Sequence, residues 1–179
     1  DDVLLIIDMQ NAYCHPKGAF TGSAPNPAAC ERVIPACRRV LDAARAAGVP
    51  VIHIAKVSFA ESAPTISFHN VVRKGGALMV EGGWDAAIVD ELTPAPGEMV
   101  LHKPAYSAFM GTALDAVFDR LKPRQVVVIG VTTSICVEST VRDAAQRALD
   151  VYVVSDATAE WLQTRHDRAN AYPISSIAR

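Results

Sequence analysis

The chain has 179 residues, half of them apolar and a fifth charged, with a formal net charge of -2. That length supports one ordinary domain with a sizeable core, and neither the charge nor any Lys/Arg-rich block offers a footprint for nucleic acid. No apolar run reaches the roughly 18 residues needed to span a membrane, and no signal-peptide pattern opens the chain.

In chain order, "VLLIID" (Val3 to Asp8) is a continuous apolar run ending in an acid, the pattern of a strand buried on both faces. After a Gly/Pro/Asn loop, "NPAACERVIPACRRVLDAARAAG" predicts a helix with Asn26 as N-cap, Pro27 at the first helical position and Gly48 at the end. Val33, Cys37, Val40, Leu41 and Ala44 share one face, and Pro35 either kinks this helix or marks its true start. "VPVIHIAKV" predicts a second strand, and the stretch from Ser58 to Gly83 reads as a long loop. "WDAAIVDEL" reads as a short helix and "EMVLHK" as a third strand. "GTALDAVFDRLKP" predicts a helix capped by Thr112, with Asp115 three positions on and a buried stripe of Leu114, Val117, Phe118 and Leu121. "QVVVIG" is a fourth strand, "CVESTVRDAAQRALD" a helix and "VYVVSD" a fifth strand, with a further helix and an edge strand expected after "TRHDRAN". Apolar strands alternating with helices predict an α/β fold, a mostly parallel, doubly wound (Rossmann-like) sheet with helices on both faces. No linker, repeat or low-complexity tract appears, so one domain over residues 1–179 is expected.

Four cysteines, Cys14, Cys30, Cys37 and Cys136, are few for a disulfide scaffold. Cys30 and Cys37 would lie about 10 Å apart along one helix, too far for a bridge. Free thiols in a reducing cytoplasm are expected.

In an open α/β sheet the ligand crevice lies outside the carboxyl ends of the strands. Asp8 ends the first strand, Lys103 ends the third and Cys136 follows the fourth, so the fold brings all three to one rim. Singly, each has a plain structural reading as a cap residue, a solvated lysine or a packed thiol. Together they make a coherent chemistry. A thiol becomes a nucleophile as its thiolate, which a helix N-terminus and a nearby cation favour. An acid beside it takes the proton and later returns it to a leaving nitrogen. Backbone N–H groups of "VTTSIC" at a helix start can serve as an oxyanion hole.

"LLIIDMQNAY", "KPAYSAF" and "GVTTSICVESTVRDA" together resemble the isochorismatase-like cysteine hydrolases, over roughly Val3 to Asp156. The resemblance implies a Cys-Asp-Lys triad working through a thioester: Cys136 as nucleophile, Asp8 as general base and later acid, and Lys103 orienting Asp8 and stabilising the thiolate. It also implies a non-proline cis peptide between Val131 and Thr132, with the N–H groups of Thr132 and Cys136 as oxyanion donors. The nicotinamidases of this family resemble one another in a metal-binding Asp and His after the second strand. Lys56 and Ser58 stand there in this chain, so no metal and no cofactor are expected. The pattern is closest to the ureidoacrylate and biuret-type amidohydrolases, which implies a small amide or ureido (carbamoyl) substrate and water. Vinyl-ether hydrolysis, as in isochorismatases proper, and a catalytically inactive binding protein are the alternatives. Gln10, Asn11 and Tyr13 just past Asp8, Tyr106 and Phe109 just past Lys103, and Phe20 and Trp84 in covering loops are the expected substrate-binding residues. A homo-oligomer, dimer or tetramer, is expected on the same resemblance, with no nucleic-acid or membrane partner.

Overall fold

In the computed structural model residues 2–58 and 78–178 are described. β1 (Asp2–Ile7), β2 (Val51–Lys56), β3 (Met99–Lys103), β4 (Gln125–Val131) and β5 (Asp150–Ala159) form one sheet in the order β3-β2-β1-β4-β5, and every pairing is parallel. β1 is apolar throughout because both its faces are covered. Val3, Leu5 and Ile7 enter one core, while Leu4 and Ile6 enter the other, as the period of two in a strand requires. α1 (Asn11–Cys14), α2 (Ala29–Arg32) and α3 (Ile34–Ala46) pack on the second face through Cys14, Cys30, Cys37 and Leu41. α4 (Leu114–Leu121), α5 (Glu138–Gln146) and α6 (Gln163–Ala169) cover the first through Leu114, Val117, Val141, Ala144 and Ala169. The sheet is therefore doubly wound, as its strand and helix pattern predicts.

From β1 the chain winds outward to β2 and β3, then returns to the opposite side of β1 to lay down β4 and β5. The winding direction thus reverses between β1 and β4, and the crevice beyond their carboxyl ends is where such sheets hold ligands. β4 passes β1 very closely at this point. Gly130 adopts φ +116°, and a Cβ there would stand 2.1 Å from the Ile7 carbonyl oxygen. Backbone on the neighbouring strand cannot retreat as a flexible side chain does. Gly130→Ala should therefore destabilise the protein by about 4 kcal/mol or more, read as a drop in the urea unfolding midpoint. A wild-type midpoint would show that β1 and β4 can part without loss.

Several local expectations are corrected. The long helix from Asn26 is two helices, with Ala28 rather than Asn26 at the first N-cap and Pro35 in the first turn of α3. Proline lacks the N–H that a continuous helix needs, so the break falls where its ring is tolerated. "WDAAIVDEL" forms two short 3₁₀ turns, Trp84–Ala86 and Asp90–Leu92, because Ile88 between them pairs antiparallel with Gln10. Ala113 occupies the N-cap of α4, while the Thr112 hydroxyl accepts from the Leu114 N–H at 3.1 Å. Leu121 is exposed at the end of α4 and does not join the stripe. Among the described residues the C-terminal segment adds α6 and a π turn, Asn170–Ile174, but no edge strand. All four cysteines are free and buried. No helix among the described residues is long and apolar enough to cross a membrane.

Candidate active site

Asp8 is the first residue past β1 and has φ +50°, a region an Asp tolerates better than most side chains. This turn sends the chain into α1 while Asp8 itself is wholly buried. Lys103 closes β3 and is also fully buried. Its ammonium lies 2.8 Å from Asp8 Oδ2, donates to Cys136 Sγ at 3.3 Å and donates to the Ala105 carbonyl at 3.0 Å. Three acceptors thus surround a group with three protons, which fixes its position. The Lys103–Asp8 contact is a close, fully buried ion pair. Asp8 also lies within hydrogen-bonding range of the Cys136 thiol. Acid, ammonium and sulfur meet as a single cluster.

Burial pulls Lys103 down, but the charges of Asp8 and Cys136 outweigh it and hold the ammonium above its ordinary value. Burial first and the Asp8 carboxylate second push Cys136 up to about 12, and the opposing pull of Lys103 does not reverse this. The place of Cys136 is corrected: it sits inside a π turn, Thr133–Val137, that runs into α5, and not at the first residue of a helix.

That turn is held from several sides. The Ile135 and Val137 N–H groups both donate to the Thr132 carbonyl at 3.2 Å. Ser134 Oγ donates to Glu160 Oε2 at 2.7 Å, and Thr133 Oγ1 meets His166 Nδ1 at 2.8 Å. Thr140 Oγ1 donates to the Cys136 carbonyl at 2.8 Å and accepts from the Ala108 N–H at 3.0 Å, tying the turn to the loop after Lys103. The bond between Val131 and Thr132 is cis.

The expected pocket residues divide. Tyr13 is buried beside the cluster; burial first, then the charges of Asp8 and Cys136, raise its phenol well above the ordinary value. It stacks on Phe20, with ring centroids 4.9 Å apart. Gln10 and Asn11 serve the backbone. The Gln10 amide accepts from Lys56 N–H at 2.8 Å and donates to Lys56 O at 2.9 Å and Ala86 O at 2.7 Å, while Asn11 donates to Trp84 O at 3.0 Å. Trp84 is half exposed and meets His15 edge-on at 4.9 Å. Phe109 packs edge-on against Phe118 under the Arg147 guanidinium, a placement that belongs to the packing of α4, and Tyr106 is exposed. His53 faces the helical cover rather than the rim, with Nε2 2.9 Å from Glu98 Oε2. His69, Arg73 and Lys74 lie outside the described residues.

Sequence reasoning gave no site role to three side chains. Trp161 stacks on Tyr13 at 6.0 Å, and Glu160 grips the nucleophile turn; both follow the end of β5. Lys56 is buried at the end of β2. Lys56 could have been placed at the rim by applying to β2 the strand-end rule that picked out Asp8 and Lys103, whereas β5 runs past the expected end at Asp156 to Ala159, which puts Glu160 and Trp161 just beyond it.

The profile of the Isochorismatase domain matches residues 2–172. This chain belongs to the isochorismatase family. Among family members, the ureidoacrylate amidohydrolase RutB of Stutzerimonas stutzeri (strain A1501) is 35% identical over 172 residues, covering 88% of this chain and 69% of the relative. An isochorismatase family protein from Desulfovibrio vulgaris has a solved structure that superposes with a TM-score of 0.83 at 32% identity, covering 99% of this chain and 92% of that one. N-carbamoylsarcosine amidase from Thermoplasma acidophilum superposes with a TM-score of 0.76 at 28% identity, covering 94% and 91%.

Proposed function

We propose that this chain is a cysteine amidohydrolase that cleaves a C–N bond of a small amide or ureido (carbamoyl) substrate through a thioester. The observation that carries the reading is the buried cluster in which Lys103 Nζ lies 2.8 Å from Asp8 and 3.3 Å from Cys136 Sγ. As the sulfur attacks the carbonyl carbon, its proton passes to the neighbouring Asp8, held in place by Lys103. The carbonyl oxygen takes the negative charge, with the N–H groups of Thr132 and Cys136 as its donors. Asp8 returns the proton to the departing nitrogen, the C–N bond breaks and Cys136 is left acylated. Water then attacks the thioester, gives a proton to Asp8 and frees the sulfur, which recovers that proton.

The base stands beside the thiol, so sulfur and nitrogen exchange one proton through it. The ureidoacrylate and N-carbamoylsarcosine names of two relatives support a ureido or carbamoyl substrate. Tyr13, Phe20 and Trp161 supply an apolar wall suited to a small flat group. Residence in the cytoplasm and assembly into a dimer or tetramer belong to the same proposal, the former supported by four free thiols.

Incubation with a panel of small amides and ureido acids should release ammonia from at least one ureido or carbamoyl compound. Acid-quenched samples should carry the acyl group on the Cys136 peptide by mass spectrometry. Ammonia release that survives complete alkylation of Cys136 would refute the reading.

A further inference from the structure

The trio leaves a second buried carboxylate of the same rim unassigned. β5 advances five residues from Val153 to Thr158 while β4 advances two from Val128 to Gly130, and pairing then resumes with Ala159 opposite Val131. An irregularity of this kind re-aims the side chains that follow it, and such bulges gather beside active sites. The residue delivered here is Glu160, which follows the partner of Val131 and is only 4% exposed. Val131 itself leads through the cis bond into Thr132 and the nucleophile turn.

Both oxygens of Glu160 are engaged. Oε1 accepts from the Trp161 N–H at 3.0 Å, a bond between sequence neighbours that fixes how the carboxylate is turned. Oε2 accepts from Ser134 Oγ at 2.7 Å. A carboxyl group taken out of water is costly unless its oxygens are bonded, and an apolar side chain would close the strand end without that cost. A charged acceptor holds a hydroxyl more firmly than a neutral one does. What that strength secures is Ser134, which stands between Thr132 and Cys136, the residues whose N–H groups serve the reaction proposed above. Thr133 is held at the same time, 2.8 Å from Nδ1 of His166 on α6. Two consecutive hydroxyls are thus pinned on the stretch that joins the two donors.

We propose that Glu160 is a positioning residue for the oxyanion donors: by gripping Ser134 it sets how the Thr132 and Cys136 N–H groups converge on the substrate's carbonyl oxygen. The inference rests on the thioester mechanism proposed above and adds the group that governs its oxyanion step. Glu160 acts through Ser134 rather than on the sulfur. Through the Trp161 N–H it also ties the ring that stacks on Tyr13 to the same turn.

Two reagents separate this role from plain support of the fold. With p-nitrophenyl acetate the sulfur attacks the carbonyl carbon, an S–C bond forms, and p-nitrophenolate leaves with the electrons of the broken C–O bond. The thiol proton departs to water, and an oxyanion develops on the way. Iodoacetamide alkylates the same sulfur by displacing iodide, and no oxyanion develops. The ratio of acylation to alkylation rates at Cys136, each corrected by the rate in Cys136→Ala, therefore reads the donors. Glu160→Ala and Ser134→Ala should each lower this ratio roughly tenfold, a part of the 10²–10³ lost when an oxyanion donor is removed outright. Glu160→Gln should stay within about twofold of wild type, since its amide can accept from the Trp161 N–H and donate to Ser134 Oγ. Glu160→Ala/Ser134→Ala should match the single variants, because there is one bond to lose. A wild-type ratio in both single variants overturns the inference, and so does a loss in which both rates fall together. Ser134 is partly exposed, so its alanine variant decides alone if Glu160→Ala fails to fold. A wild type that p-nitrophenyl acetate does not acylate at Cys136 overturns the thioester reading and the inference with it, whereas acylation with an unmoved ratio overturns the inference alone.

Discussion

Cys136→Ala should reduce hydrolysis of any active ureido substrate by on the order of 10⁴-fold or more, while leaving thermal unfolding close to that of the wild type. The two effects separate because of how the sulfur sits. It is the only member of the cluster that forms a bond to the substrate in the proposed reaction, so nothing replaces it. Its removal strands no charge, since Lys103 and Asp8 still face each other at 2.8 Å. The lost sulfur leaves a small void beside Lys103, worth about 1 kcal/mol. Ammonia release and a melting curve on the same preparation check both halves. Activity within tenfold of wild type would remove Cys136 from the mechanism.

Lys103→Met acts in the opposite way, on fold and chemistry together. Asp8 would keep its place, fully buried, with its nearest cation gone. Breaking a buried ion pair from one side costs about 3–5 kcal/mol. Asp8→Asn/Lys103→Met should then be more stable than Lys103→Met alone, and unfolding in urea across the four members of that cycle measures the coupling. Additive losses would mean that the two groups do not depend on each other. Activity should be lost in all three variants, because each lacks the base or the cation that holds it.

Much of this was legible in the sequence for a physical reason. A strand covered on both faces must be apolar at every position, and "VLLII" and "VVVIG" have no other use. Once the strands are located, a reactive residue at a strand's carboxyl end is a residue at the rim, and this located Asp8 and Lys103. The same logic extended to β2 reaches Lys56, read from the sequence only as the absence of a metal ligand, while Glu160 escaped because β5 runs on to Ala159, past the Asp156 that ends its apolar run. Protonation was the least readable property. Helix position and a nearby lysine argue for a thiolate, but burial and the Asp8 carboxylate oppose it, and burial is set by packing that no local stretch reveals. Helix type was also elusive near Trp84, where a single bridge between Gln10 and Ile88 overrides a helical pattern. Phe109 shows the converse limit: it lies on the same side of the sheet as Cys136, yet its ring packs edge-on against Phe118 of α4, a partner that nearness in sequence to Lys103 does not announce.

The reversal of winding between β1 and β4 has a consequence for how the molecule comes to life. Sulfur, ammonium and carboxylate arrive on segments far apart along the chain, and the central β1–β4 pairing closes only after more than half of it has been laid down. Such distant pairings are the slow ones to form. Recovery of catalysis after dilution from denaturant should therefore lag behind the return of helical signal, making turnover a clock for completion of the sheet rather than for collapse.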